Sequence, residues 1–422
     1  MEQLGSGYDV VVAGGGTAGI IAALQSARLG AKTAIVEWTG QLGGTITNGG
    51  INCVLFLSAW GRQVIAGLGW ELVRQCLEFE GRPMPDFSKS PQPAGGFGVV
   101  FSAPLFACLA EQACLRAGVD LLYHELPISA RRDQNWVLET AGKGQRRIIR
   151  CRELIDCTGD ADLVDLAGFS REKGEELQPA TLVAKLAGYD RDALEAEMVQ
   201  SQYESAMRDG RLQAGDFAYA DMEKFVVYLR SCGGNTQHVP DVDGGSSAGK
   251  SLANRRGRES ALRLLRFVRS LPGCEKAVLA DLKSEAAIRE TFRIVGEKRI
   301  TREDFLAGRI YEDAVCYSFY FIDLHTRSGV TKEFLREGVV PTVPFGALIP
   351  KGSRHLLSAG RSVSSDRMAN SALRVQASCM AMGQAAGAAA ALGIQSGCAS
   401  RDVGLCDLRR ILRAHGAIVP GE

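Results

Sequence analysis

The sequence predicts an α/β fold: a Rossmann-like nucleotide domain with an inserted α+β domain that serves as substrate site or cap. Three observations predict it. A βαβ pattern with glycines at its turn occupies residues 8–37, a short apolar strand and a long small-residue helix close the chain at 354–392, and the middle is richer in charge and breakers. Composition agrees, since 46% hydrophobic and 23% charged residues over 422 positions describe a packed globular chain rather than a disordered one. Lys plus Arg (49) balance Asp plus Glu (48), so no summed field steers the protein toward nucleic acid or an anionic membrane. Glycine is in excess, 49 residues against the roughly 30 of average usage, and clusters where the chain has to approach a ligand closely.

The first element, YDVVVA at Tyr8–Ala13, is a β-branched run uncharged after Asp9, as suits a strand covered on both faces. Residues 14–19 (GGGTAG) follow at once, 20–30 has helical periodicity, and 32–36 forms a second strand ending at Glu37. In GxGxxG terms Gly14 makes the tight turn, Gly16 lets a pyrophosphate approach the backbone, with Thr17 and Ala18 beside it, and Gly19 lets helix and strand pack closely. Glu37 suits a ribose 2′-hydroxyl and disfavours a 2′-phosphate, which leaves FAD or NAD. A second cluster, GQLGGT at 40–45, points to FAD, with Gly43, Gly44 and Thr45 along the pyrophosphate and ribityl chain. Residues 118–123, 136–140, 147–151 and 153–156 read as strands, the last running into Thr158-Gly159-Asp160. The strand at 354–360 leads into RSVSSD and a helix from about 371 to 392, whose start would aim free N–H groups at a flavin edge.

Taken together, YDVVVAGGGTAGI, GQLGGT, ELIDCTGDADLVDLAG, IRETFRIVGEKRIT, FIDLHTRSG and SAGRSVSSDRMANSALRVQASCMAMGQAAGAAAAL resemble, in this order and over nearly the whole chain, the FAD-dependent oxidoreductase family built on the glutathione-reductase-type FAD fold. The resemblance implies non-covalent FAD in a two-domain enzyme. It places Gly14, Gly16 and Gly19 on the pyrophosphate, Glu37 on the adenosine ribose, and Gly43 and Gly44 toward the ribityl chain. Gly159 falls near the adenosine side, and Gly360, Ser364 and Arg374 toward the flavin, with Arg361 next to Gly360. The discontinuous FAD domain would comprise 1–58, 96–172 and 341–422, and the cap 59–95 and 173–340. Related disulfide reductases carry a redox cysteine pair after the Gly-Gly; Ile46 and Ile51 stand there, so disulfide chemistry is disfavoured.

No second GxGxxG with strand and helix follows Glu37, so the reductant is expected to be the organic substrate rather than NAD(P)H. An NAD(P)H-dependent flavin reductase or monooxygenase is the enzymatic alternative, although Gly360-Arg361 replaces the Gly-Asp usual in aromatic hydroxylases. A non-catalytic, electron-relaying subunit is the alternative of another class. His325, two residues after Asp323 in the stretch that the resemblance puts near the flavin, is the candidate base, with a structural hydrogen bond as the other reading. Arg289 and Arg293, four apart, would share one side of a helical turn and clamp a carboxylate or the flavin pyrimidine, or else pair with Glu290 or Glu297.

Other signals count against further functions. GGSSAGKS at 244–251 matches the phosphate-binding GxxxxGK(S/T) string but lacks the preceding strand. The arginines between Arg255 and Arg269 read as a solvated helix face rather than a nucleic-acid surface. His124, His238, His355 and His415 are scattered, so no metal is expected. The twelve cysteines form no CxxC, and Cys108, Cys114 and Cys379 sit in apolar stretches as expected buried thiols of a cytoplasmic protein. No apolar run reaches the roughly 18 residues of a membrane span, the nearest being 99–110 and 385–394. The expected reaction is oxidation of a small organic substrate by hydride transfer to flavin N5, with oxygen, a quinone or a protein as the final electron acceptor and the oligomeric state open.

Overall fold

The computed structural model describes residues 2–3, 7–89, 91–192, 194–218, 222–327 and 329–421. The chain opens with β1 (Tyr8–Ala13), α1 (Thr17–Arg28) and β2 (Thr33–Glu37), the expected βαβ unit. Then come α2 (Leu68–Phe79), α3 (Ala103–Arg116), β3 (Asp120–Tyr123), β4 (Glu125–Arg132), β5 (Trp136–Gly142) and β6 (Gln145–Asp156). Near the end β11 (Leu356–Ser358) leads to α7 (Arg367–Leu373), α8 (Gln376–Ser396) and α9 (Leu405–Ala414). Five parallel strands lie in the order β3-β2-β1-β6-β11, in register at Val12 with Ile35, Leu154 with Val11 and Ile155 with Leu357. The result is a mixed α/β protein with a Rossmann-like parallel core.

β6 was expected as two strands and is one. Through Ile149, Arg150, Cys151 and Arg152 burial alternates, because this half pairs antiparallel with β5, which pairs in turn with β4; from Glu153 to Asp156 it is continuous, because there the strand lies between β1 and β11. The change of period read as a boundary. β4 escaped the sequence reading because its burial is patchy and its end is Arg-rich.

α1 is pressed between the sheet and α8. A Cβ on Gly383 would lie 2.2 Å from the Ala18 carbonyl oxygen and one on Gly387 2.2 Å from that of Ala22, so glycines four apart let the two helices touch along their backbones. α8 is long and apolar enough to cross a membrane, yet most of it is buried in this core. The expected single helix 371–392 is two, α7 and α8, separated where Val375 is extended (φ −69°, ψ 150°). No glycine or proline marks this break. Arg374, at the end of α7, turns its side chain toward Gln178 and Asp323.

The middle segment has its own elements: β7 (Ala184–Ala187), α4 (Ala196–Arg208), α5 (Met222–Arg230), α6 (Ser247–Arg269), β8 (Val278–Leu282), and the hairpin β9 (Ile322–Thr326) with β10 (Gly329–Glu333). Leu186, Val199, Phe225, Phe267 and Leu271 form a core apart from the one beneath the parallel sheet. Segment 59–95 is the other part expected with the cap. Leu68, Leu72, Val73 and Leu77 of α2 share the core of Ile20 and Leu24, because α2 buries its apolar face beside α8, where a Cβ on Gly69 would meet Met380. Cys114 and Cys379 are buried as expected, but Cys108 is exposed, on the outer face of α3.

Candidate cofactor and active site

The carboxyl ends of the parallel strands gather the expected nucleotide-binding residues at one edge, where α/β sheets bind ligands. Gly14 follows β1 at φ +95°, with its missing Cβ only 2.4 Å from the Cys157 carbonyl oxygen beyond β6. A Cβ on Gly19 would fall 1.8 Å from the Gly14 carbonyl oxygen, so the turn closes only around two glycines. At Gly16, by contrast, a Cβ would meet nothing within 4 Å. Gly16 is also the N-cap of α1 and no side chain caps that end, so the first N–H groups face open space, as a phosphate requires. Gly43 N–H donates to the Gly15 carbonyl at 2.8 Å and the missing Cβ of Gly44 lies 3.0 Å from Gly16 Cα, which lays the second glycine cluster, with Thr45, against the first.

Glu37 is buried and accepts from Gly15 N at 2.7 Å, Thr39 N at 2.8 Å and Thr39 Oγ1 at 2.7 Å. A carboxylate accepts about four such bonds, which leaves room for a ribose hydroxyl. This cradle fits a dinucleotide pyrophosphate and ribose. A family model described as FAD dependent oxidoreductase matches residues 9–412.

The chain belongs to the FAD dependent oxidoreductase family. It is a flavoenzyme, with FAD as cofactor. It is similar to a dihydrolipoyl dehydrogenase of Trypanosoma brucei brucei, 60% identical over 47 residues, which are 11% of this chain and 9% of that protein. Among solved structures, an anhydrotetracycline hydroxylase from Streptomyces rimosus aligns over 45% of this chain and 38% of its own, at 16% identity and a TM-score of 0.32. A geranylgeranyl bacteriochlorophyll reductase-like protein from Thermoplasma acidophilum aligns over 98% and 84%, at 14% identity and a TM-score of 0.44. The chain thus spans 9% of that curated relative and 38% of that hydroxylase.

Within this FAD-dependent oxidoreductase, Gly159 and Gly360 end β6 and β11 at the same edge, at φ +79° and +103°. Arg361 folds inward, its guanidinium donating to the Gly159 carbonyl at 2.9 Å, the Ile288 carbonyl at 2.6 Å and Asp160 at 2.7 Å. Ser364 is buried, its Oγ accepting from Gly296 N at 3.1 Å. Asp160 also accepts from Thr291 and from Lys250 Nζ at 3.0 Å. Burial works against its charge, but the Arg361 and Lys250 cations outweigh burial and hold its carboxyl below the usual range.

Lys250 is the lysine of the phosphate-loop-like string. The N-terminus of its helix, α6, is capped by Ser246, and a Cβ on Gly249 would lie 1.6 Å from the Asp243 carbonyl oxygen. The string therefore joins the middle segment to the loop that follows β6. Of the arginines on α6, Arg263 pairs bidentately with Asp216, Arg256 donates to the Pro240 carbonyl and Arg269 to that of Ala277. Among the described residues no group of His, Cys, Asp and Glu could hold a metal ion.

Arg289 and Arg293 do not share a helical turn, since 284–292 is irregular and Arg293 begins a short strand. Arg289 donates to the Pro179 carbonyl at 2.7 Å and Thr181 Oγ1 at 2.6 Å. Arg293 donates to the Ser365 carbonyl at 3.1 Å and pairs with Glu290 at 2.9 Å, one of the partners that the sequence offered. The spacing of four suggests a helix, but Thr291, Phe292 and Ile294 are strand-favouring residues and outweigh it.

His325 lies on β9 with Asp323, two residues apart and so on one face. Its Nε2 is 3.0 Å from Asp323 Oδ2, and its Nδ1 is 2.7 Å from Nε2 of His238. The His325 backbone N–H and Arg374 Nη2 both donate to Gln178 Oε1, at 3.1 and 3.0 Å. Gln178 Nε2 and Arg374 Nε are buried donors without an acceptor, a costly state that a ligand oxygen would relieve. Sequence reading named Asp323, His325 and Arg374 but missed Gln178 and set His238 aside as isolated; 87 residues separate it from His325, and no local pattern links them.

Both rings are buried. Burial first, and then the Arg289 guanidinium, push His238 down to about 3 and His325 to about 4. The folded protein therefore binds these protons later than the unfolded chain, whose histidines titrate near 6.5. Stability is full above pH 6.5 and is lost as pH falls through 4, by roughly 3 kcal/mol for His325. Urea midpoints at pH 7 and pH 4.5 should differ accordingly, and His325→Gln should shrink the difference; an equal difference in that variant would refute the assignment.

Proposed function

We propose that the protein is a dehydrogenase or oxidase that removes hydride from a small organic substrate. When bound, FAD supplies the hydride acceptor at N5, and oxygen, a quinone or a protein takes the electrons onward. The observation that carries this reading is the buried Asp323–His325 pair next to the two unmatched donors, Gln178 Nε2 and Arg374 Nε. Oxidation at a carbon bearing O–H or N–H releases a proton as well as a hydride; the Asp323–His325 pair takes the proton, and the donors hold a substrate oxygen.

The link to the cofactor runs through α7. Asp323 N–H donates to Ser371 Oγ at 3.1 Å and Arg374 Nη2 to the Asp323 carbonyl at 3.2 Å, so the hairpin is tied to the segment that leaves the carboxyl edge of β11. We assign the fold to the glutathione-reductase type, supported by the parallel sheet with its antiparallel extension. The middle segment, 173–340, is assigned as a substrate cap, supported by the separate core of its 186–277 part and its docking through Lys250 to Asp160, while Ile300, Phe319, Ile322 and Leu335 pack into the core of the parallel sheet. Gly14, Gly16, Thr17, Ala18, Gly19, Glu37, Gly43, Gly44, Thr45, Gly159, Gly360, Arg361, Ser364 and Arg374 are assigned to the FAD site or its immediate support. Arg289 supports it by holding the Pro179 carbonyl and Thr181 Oγ1, Arg293 by holding the Ser365 carbonyl and the Glu290 carboxylate, and His325 is the base.

Anaerobic stopped-flow mixing tests the reading. NADPH alone should leave the flavin oxidised, whereas a pool of small hydroxy and amino compounds should contain one that bleaches it. Rapid bleaching by NADPH without any other compound would instead favour the reductase or monooxygenase reading.

A further inference from the structure

The lysine of the phosphate-loop-like string ends beside the glycine turn of the FAD domain. In the sheet β1 runs between β2 and β6, so the turn that follows β1 is flanked by the residues that follow those two strands. Trp38 follows β2, and Asp160 lies in the loop after β6. Lys250 Nζ is 3.0 Å from Asp160 Oδ2 and 5.1 Å from the centre of the Trp38 ring, so the ammonium spans the turn from one flank to the other. The turn itself touches both flanks. A Cβ on Gly14 would meet the Cys157 carbonyl oxygen at 2.4 Å, and one on Gly15 the Glu37 carboxylate at 3.2 Å. Burial raises the Glu285 carboxyl, Lys250 lowers it and Glu37 raises it, which puts the lysine and the ribose-side carboxylate around one common space.

A diphosphate brings negative charge to an edge where the Glu37 and Asp160 carboxylates already stand, so a cation is needed there. Arg361 is spent on Asp160 and two backbone carbonyls. An ammonium carries three hydrogens, and the Asp160 contact uses one, which leaves two for phosphate oxygens. The Lys250 side chain is 35% exposed, so these donors are open to a ligand.

We propose that Lys250 is a ligand of the FAD diphosphate, a point charge that the middle segment places beside the glycine turn. This rests on the assignment of residues 14–19 as the cofactor cradle. The end of the lysine's own helix is closed by the Ser246 cap and by the contact of Gly249 with Asp243, so the lysine serves the free amides of α1 instead. Because Lys250 belongs to α6, cofactor binding and the docking of the middle segment are coupled through one side chain.

The test is cofactor affinity, read from flavin fluorescence on deflavinated protein without substrate. Lys250→Met should weaken FAD binding roughly tenfold or more, the usual worth of a charge-assisted hydrogen bond, and competition by ADP should weaken with it. Lys250→Arg, which keeps the charge, should bind FAD nearly as the wild type does. Raising KCl from about 50 to about 500 mM should lower wild-type affinity more than that of Lys250→Met, since salt screens the pair. Lys250→Gln, polar but uncharged, should match Lys250→Met, and it decides the question if the methionine variant does not fold. A lysine that only docks the middle segment would lower the melting temperature and leave the salt dependence of FAD binding unchanged. That result, or wild-type affinity for FAD in either neutral variant, would overturn the proposal. The cradle fails separately: Gly16→Val protein that holds FAD at wild-type occupancy would remove the glycine turn as the cofactor site, whatever the Lys250 variants do.

Discussion

Gly16→Val is expected to leave the protein folded and colourless. Gly16 sits at φ −74°, ψ −173°, extended backbone that any residue adopts, and its Cβ would meet no protein atom within 4 Å. Stability should therefore fall by no more than about 1 kcal/mol, the cost of an apolar N-cap. The space that the branched side chain fills is where the helix N-terminus offers its free N–H groups to phosphate, so the flavin band at about 450 nm should be lost from the native variant. Gly19→Val makes the contrasting case. There the added atom collides with a main-chain oxygen at 1.8 Å, which cannot swing aside, and the βαβ turn itself should fail, by at least about 3 kcal/mol. Thermal melts and absorbance on the two variants separate the roles. A Gly16→Val protein that holds FAD at wild-type occupancy would show that the cradle is not the cofactor site.

His325→Ala is expected to slow flavin reduction by the substrate roughly 10²- to 10⁴-fold, the usual contribution of a positioned base, while FAD content stays unchanged. The pH profile sharpens the claim. The base works unprotonated, and burial with the Arg289 charge pushes His325 down to about 4, so the wild-type rate should be level through neutrality and fall only as pH drops toward that value. A wild-type acid limb centred near 6.5, the value of a solvated imidazole, would point to a different group. The variant should lose the limb along with the rate. Loss of FAD together with the rate would instead give His325 a structural role.

The two experiments probe parts of the molecule that were legible to different degrees. The cradle lies in one stretch, 8–45, where period, turn glycines and Glu37 succeed each other within a few turns, so local sequence carries the geometry. The proton-handling pair was half legible: Asp323 and His325 fall on one face of a strand because side chains alternate every second residue. Their surroundings were hidden, because Gln178, His238 and Arg374 reach them from three separate parts of the chain. Arg289 and Arg293 misled for a related reason. A spacing of four suggests a shared face only if the backbone is helical, and tertiary contacts hold this stretch irregular.

Sequence alone determined the βαβ unit, the positions of its indispensable glycines, the carboxylate that closes β2, and the absence of a cysteine pair after the second glycine cluster. All depend on neighbours within about forty residues, over which backbone sterics and hydrophobic period act directly. The tertiary structure decided that a lysine from a phosphate-loop-like string pairs with Asp160, that α2 joins the nucleotide core, that the last long helix breaks at Val375, and that two distant histidines meet end to end. Each of those outcomes is settled by which surfaces bury one another and which polar atoms must then find partners, and neither can be read from a chain until it is closed on itself.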